Sequence, residues 1–162
     1  MVQTNLKAVV VGDTAPLSVH RKGPAGYPSN SIVDGGTTSI DLGPLLLRDV
    51  ISRFRPQHQQ LLRAALARKK ADVPMGLLNL RQWPVLTFIL QGLNAAEDVV
   101  LRVRPRDYWQ VNAPAPGLAV LALTKGEPGF AILGLPLMNG YFTIFDGEAD
   151  NGRGVVRFAP RK

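Results

Sequence analysis

Asp34 is the residue in this chain best placed to do chemistry. The β-forming pair Ile32 and Val33 runs into it, and Gly35, Gly36, Thr37 and Thr38 follow it. The pattern predicts a strand that ends in a tight loop with an acid at its tip. Two adjacent glycines are expected to take positive φ and to let another chain or a ligand approach closely. Thr37 and Thr38 bring hydroxyls within reach of Asp34. Thr37 either donates to the Asp34 carboxylate or bonds its own backbone. A loop of this kind holds a carboxylate in a fixed place.

Other chemistries are poorly provided for. The chain has no cysteine, which removes disulfides, thiol nucleophiles and thiolate metal sites together. His20 and His58 are far apart in sequence and lie in polar stretches, so both are expected on the surface. Neither a zinc site nor a serine–histidine triad is expected, and no metal or cofactor.

The elements that must position Asp34 can be read from the pattern. Residues Leu6 to Val11 predict a strand closed by Gly12-Asp13, and His20 to Asn30 a Gly- and Pro-rich loop leading to the acidic strand. After the loop, Leu46, Leu47, Val50, Ile51 and Phe54 fall at helical spacing behind Pro44. A second helix is expected from Pro56 to Lys70, with Leu62, Ala65, Leu66 and Lys69 on or beside one face. Beyond Pro84 short apolar runs predict strands over 84–90, 99–103, 108–111, 118–124, 130–133, 141–146 and 154–158. The expectation is a mostly β domain with two short helices, spanning residues 1–162 as one unit. Its 162 residues, 46 % hydrophobic, suffice for a real core. No run of 18 apolar residues is present, so no membrane partner is expected.

Ile32-Val33-Asp34-Gly35-Gly36-Thr37-Thr38 resembles the active-site loop of the pepsin-like aspartic proteases, in which a hydrophobic pair precedes Asp-Thr/Ser-Gly-Thr/Ser. Gly35 departs from that pattern. The resemblance extends through the chain in order. Pro84-Val85-Leu86-Thr87-Phe88 resembles the family's Pro-x-Leu-Thr-Phe strand, and Arg106 to Val111 its Pro-x-x-Tyr-like segment. Ala131-Ile132-Leu133-Gly134 is similar to the hydrophobic-hydrophobic-Gly segment beneath the active site, and Tyr141 to Asp146 with Val155 to Ala159 to the closing hairpin.

The resemblance implies the carboxy-terminal lobe of the pepsin-like double barrel. In that family each of two lobes presents one aspartate, and the pair shares a proton. It implies that Asp34 is catalytic, that Gly35, Gly36, Thr37 and Thr38 support it, and that Ile132, Leu133 and Gly134 form the second loop. The implied activity is that of an aspartic endopeptidase lobe acting on a peptide or protein substrate. The second aspartate would come from an amino-terminal lobe of the same protein or from a second copy in a homodimer. The chain begins and ends where the family's lobe does, which favours the first. The alternative is a catalytically inactive homologue serving as a binding or inhibitory module, with Gly35 as its mark. Secreted eukaryotic members usually carry a disulfide in this lobe, so the lack of cysteine favours a bacterial or otherwise disulfide-free context.

The net charge of +7 raises a different class of partner. Arg102, Arg104 and Arg106 alternate and would share one face of a strand, with Arg68-Lys69-Lys70 and Arg153, Arg157, Arg161 and Lys162 as further clusters. Yet the clusters are scattered, and aromatics make up only 7 % of the chain, too few for a stacking platform. A nucleic-acid partner is therefore not expected, and a solvated basic surface is.

Overall fold

A computed structural model describes residues 1–19, 23–67, 72–94 and 96–161. His20, Arg68-Lys69-Lys70 and Lys162 lie outside the described residues. The chain is mostly strand: β1 (Val2–Thr4), β2 (Leu6–Val11), β3 (Leu17–Ser18), β4 (Ser31–Val33) and β5 (Ile40–Leu42) precede the helices α1 (Pro44–Ser52) and α2 (Pro56–Ala67). Then come β6 (Val73–Pro74), β7 (Leu86–Gln91), β8 (Asp98–Val103), the single turn α3 (Pro105–Tyr108), β9 (Trp109–Val111), β10 (Leu118–Leu121), β11 (Leu123–Lys125), β12 (Ala131–Leu133), the single turn α4 (Leu135–Met138), β13 (Tyr141–Asp146) and β14 (Val155–Pro160). Two one-turn 3₁₀ helices, Met75–Leu77 and Leu80–Gln82, link β6 to β7. Among the described residues no helix is long and apolar enough to cross a membrane.

The sheet that carries Asp34 is interleaved. Its order is β1-β4-β12-β5-β11, so β12, from late in the chain, lies between two early strands. It runs parallel to β4, pairing Ile132 with Ile32, and antiparallel to β5, pairing Ile132 with Asp41. The two strands on either side of the Asp34 loop are thus held apart by a third that fills the gap with main-chain hydrogen bonds. Val33, Ile40, Leu42 and Leu133 point inward and are fully buried. Alternation of buried and half-buried residues along β4, β5 and β12 gives each strand one core face.

A second sheet, β3-β2-β7-β8, and a third, β6-β10-β9, share the same apolar cluster, which includes Leu6, Val9, Phe88 and Leu101. Helix α1 buries Leu47, Val50 and Ile51, and α2 buries His58, Leu62 and Ala65. Both sets follow the three-to-four-residue period of a one-sided helix.

Several expectations need correcting. His58 is not a surface histidine: it is 6 % exposed and lies flat on Trp83, ring centres 4.1 Å apart. Burial, aided by the Arg55 charge, pushes its pKa down and favours the neutral imidazole. Arg102, Arg104 and Arg106 do not share a strand face, because β8 ends at Val103 and Pro105 opens α3. Arg104 precedes that turn, and Asp107 accepts from both its backbone N–H (3.2 Å) and its Nε (2.9 Å). Tyr108 therefore ends a helical turn and does not begin a strand. The expected strand over 118–124 divides at Ala122, whose N–H donates to Tyr108 O while its carbonyl accepts from Ile40 N. One residue thereby passes the chain from one sheet to the next.

Candidate active site

The loop at the end of β4 is tied at both ends before its side chains are considered. Asp34 N–H donates to Leu133 O at 3.1 Å, and Thr37 N–H closes the turn on Asp34 O at 3.4 Å. On the far side Gly134 N–H donates to Ser39 O at 3.1 Å and Leu135 N–H to Thr37 O at 2.8 Å. The segment Ile132-Leu133-Gly134 therefore clamps both ends of the acidic loop, which brings the two sequence-predicted groups of residues together.

The Asp34 side chain is half-buried, and both of its oxygens are engaged. Oδ1 accepts from Gly36 N–H at 3.1 Å, and Oδ2 accepts from the Thr37 hydroxyl at 2.7 Å. Of the two readings of Thr37, the bond to the carboxylate is the one formed. Donors on both oxygens favour the charged form, the Thr37 hydroxyl most and the Gly36 N–H next, and hold Asp34 below the usual carboxylate range. Thr38 enters differently: its carbonyl accepts from Gln110 Nε2 at 3.1 Å, bracing the loop from β9. Sequence reasoning missed Gln110, which carries no local signal because it lies 72 residues away.

The two glycines after Asp34 are required neither by φ nor by space. Neither Gly35 nor Gly36 adopts positive φ, contrary to expectation. A Cβ on Gly36 would lie 3.5 Å from Asp34 Oδ1, and one on Gly35 would meet only the Phe145 ring at 3.8 Å, an ordinary contact. Gly134 is the constrained one. A Cβ there would lie 2.2 Å from Ser39 O and 2.3 Å from Thr37 O.

Asp34 is the one acid free to work at this loop among the described residues. Asp41 accepts from Ser39 Oγ at 2.5 Å and from Thr124 Oγ1, so one of its oxygens is already held by two hydroxyls. Asp49 pairs with Arg48, and Asp146 pairs with Arg157 at 3.0 Å. No group of three His, Asp or Glu among the described residues could hold a metal ion. Two partly exposed apolar side chains adjoin the loop, Phe145 beside Gly35 and Leu135 beyond Thr37. Phe145 is 41 % exposed and Leu135 39 %, whereas Phe142 and Ile144 alternate with Phe145 along β13 and face the other side of the hairpin, Phe142 under the Arg161 guanidinium.

The roles of the two donors can be separated. Thr37→Val is expected to remove the strongest support of the charged carboxylate, so the Asp34 pKa rises towards its ordinary value. Less of it is then ionised at a given acid pH, and the acid limb of any activity profile moves up in pH. Turnover should fall by roughly tenfold, the scale of one charge-assisted hydrogen bond. A pH–rate profile of the variant that overlays the wild type would show that the hydroxyl does not tune the acid.

No protein-family model matches the chain, and no curated protein does either.

Proposed function

We propose that this chain is one lobe of a pepsin-like aspartic endopeptidase and supplies one of the two catalytic aspartates, Asp34. The observation that carries the reading is the Asp34 carboxylate itself, half-exposed at a loop rim with a backbone N–H on one oxygen and a threonine hydroxyl on the other. The interleaved order β4-β12-β5 beneath it supports the same reading. So do the partly exposed side chains of Leu135 and Phe145 beside the loop, which a second half would cover.

In the assembled enzyme the ionised carboxylate takes a proton from a water. The water oxygen bonds to the peptide carbonyl carbon, while the partner carboxyl donates its proton to the carbonyl oxygen. Collapse of the tetrahedral intermediate breaks the C–N bond as the amine takes up a proton. The donors on Asp34 bias it towards the ionised role, although the titration belongs to the pair. The test is peptide cleavage at acid pH by the full assembly, with and without Asp34→Asn. Cleavage that survives the substitution removes Asp34 from the mechanism.

Gly35 favours a second reading, an inactive homologue retained as a binding or inhibitory module, because no side-chain hydroxyl is available there to bond across to a partner loop. The space beside Gly35 admits a Cβ. Gly35→Thr is therefore expected to preserve or raise turnover of the active assembly. If the assembly shows no cleavage with either residue at position 35, the binding-module reading takes its place.

A further inference from the structure

A second site lies away from Asp34, where α1 and α2 meet. The corner between them, Arg53 to Arg55, faces the turn after β2 and the exposed edge of β8 across a cleft of about 580 Å³. Arg53, Arg55 and Arg102 line it, and among the described residues none of the three is in an ion pair. Elsewhere Arg48, Arg104 and Arg157 each have a carboxylate partner. The one acid on the wall is Asp13, which is exposed. Three exposed guanidinium groups without ion-pair partners, set against one carboxylate, leave the concavity net positive.

His58 also lines the cleft. It is 6 % exposed, and its Nδ1 is buried with no hydrogen-bond partner. A buried polar atom of that kind is costly when left unpaired, and it lies on a residue of the cleft wall. Helix α2 adds its amino end. The first bond on that helix runs from Gln59 N–H to Arg55 O, so the N–H groups ahead of it have no helical acceptor. Its first turn carries no acid that would offset the dipole.

We infer that this cleft binds a small phosphate-bearing molecule, held by the guanidinium groups of Arg53, Arg55 and Arg102 and by the amino end of α2. Guanidinium forks match phosphate oxygens two at a time, and the open end of a helix favours the same charge. The volume lies within the range of small-molecule sites. An exposed acidic rim of one residue leaves the cation excess intact.

Calorimetric titration of the full chain with inorganic pyrophosphate at low salt tests this. Saturable binding of one anion per chain is expected, weakened about tenfold by Arg55→Gln and by Arg102→Gln. Arg63→Gln, on the exposed side of α2, removes the same charge and should leave affinity within about twofold. Asp34→Asn should leave it unchanged, which separates this site from the proposed active site. The ¹⁵N resonance of His58 Nδ1 should shift on saturation, a readout that does not depend on any variant folding. Absence of saturable binding overturns the proposal, and so does a loss with Arg63→Gln as large as with the cleft variants. Succinate binding as tightly as pyrophosphate, or poly-glutamate binding where pyrophosphate does not, overturns the phosphate assignment.

Discussion

Asp34→Asn is expected to lower kcat/KM for peptide cleavage by roughly a thousandfold to ten-thousandfold, the scale of a lost general base. The melting temperature should stay within about 2 °C of wild type. The two readouts diverge because of how the side chain is held. Asparagine has the same shape, and its amide oxygen can still accept from Gly36 N–H or Thr37, so the loop keeps its ties to Leu133 and Gly134. What it lacks is a charge. The folded chain holds the Asp34 pKa below its ordinary value, so the charged form contributes stability above the unfolded value. That contribution disappears as pH falls through the lower folded value. Any stability deficit of the variant should therefore be largest near neutrality and vanish in strong acid. A variant that unfolds at neutral pH would show instead that Asp34 is a structural keystone.

Gly134→Ala is expected to do the reverse, disrupting the fold before any chemistry is measured. The methyl group would lie 2.2 Å from Ser39 O and 2.3 Å from Thr37 O, and both are backbone atoms with little freedom to move. Relief requires the Gly134 N–H to Ser39 O and Leu135 N–H to Thr37 O bonds to lengthen together. The backbone at Gly134, φ −86°, suits any residue, so the penalty is one of space alone. Overpacking of this severity costs about 3 kcal/mol, or a melting temperature lowered by about 6 to 12 °C. Thermal unfolding of Gly134→Ala beside Gly76→Ala, where a Cβ meets nothing, separates crowding from the generic loss of a glycine. Equal effects at the two positions would contradict the clamp.

The elements that sequence made legible are those whose partners are close in the chain. The strand 141–146 is found to the residue, because it pairs with β14 only a turn away, Tyr141 opposite Pro160 and Asp146 opposite Val155. Helix α1 follows from the spacing of Leu46, Leu47, Val50 and Ile51 behind Pro44, although it ends at Ser52, short of Phe54. Where long-range contacts decide, local pattern misleads. The run 118–124 is continuously apolar, and only the non-local bonds of Ala122 to Tyr108 and Ile40 divide it. The alternating arginines after β7 suggest an extended strand, but Pro105 and the Asp107 carboxylate turn the chain at Arg104. The burial of His58 is legible in its spacing: it stands four residues before Leu62 and seven before Ala65, on the buried stripe of α2. Hydropathy assigns histidine to water, whereas the Trp83 ring gives it an apolar partner.

At the candidate site, the residue types and order pointed to Asp34, Thr37 and Gly134, and their contacts give each a physical reason to be where it is. The Gly35-Gly36 pair pointed to backbone freedom that the loop does not use. Gln110 could not have been found, since nothing in its neighbourhood marks it as a brace for Thr38.

Under the proposed function, Asp34 is half of a shared-proton pair completed by another lobe. The most direct measurement is a ¹³C NMR titration of the Asp34 carboxyl carbon, first in this chain alone and then in the assembled enzyme. Alone, a single step below the ordinary aspartate range is predicted, because Thr37 and Gly36 stabilise the anion. In the assembly the same carbon should follow two well-separated steps, since two carboxylates a few ångströms apart resist double ionisation. A single step in the assembly, unchanged from that of the isolated chain, would contradict the account.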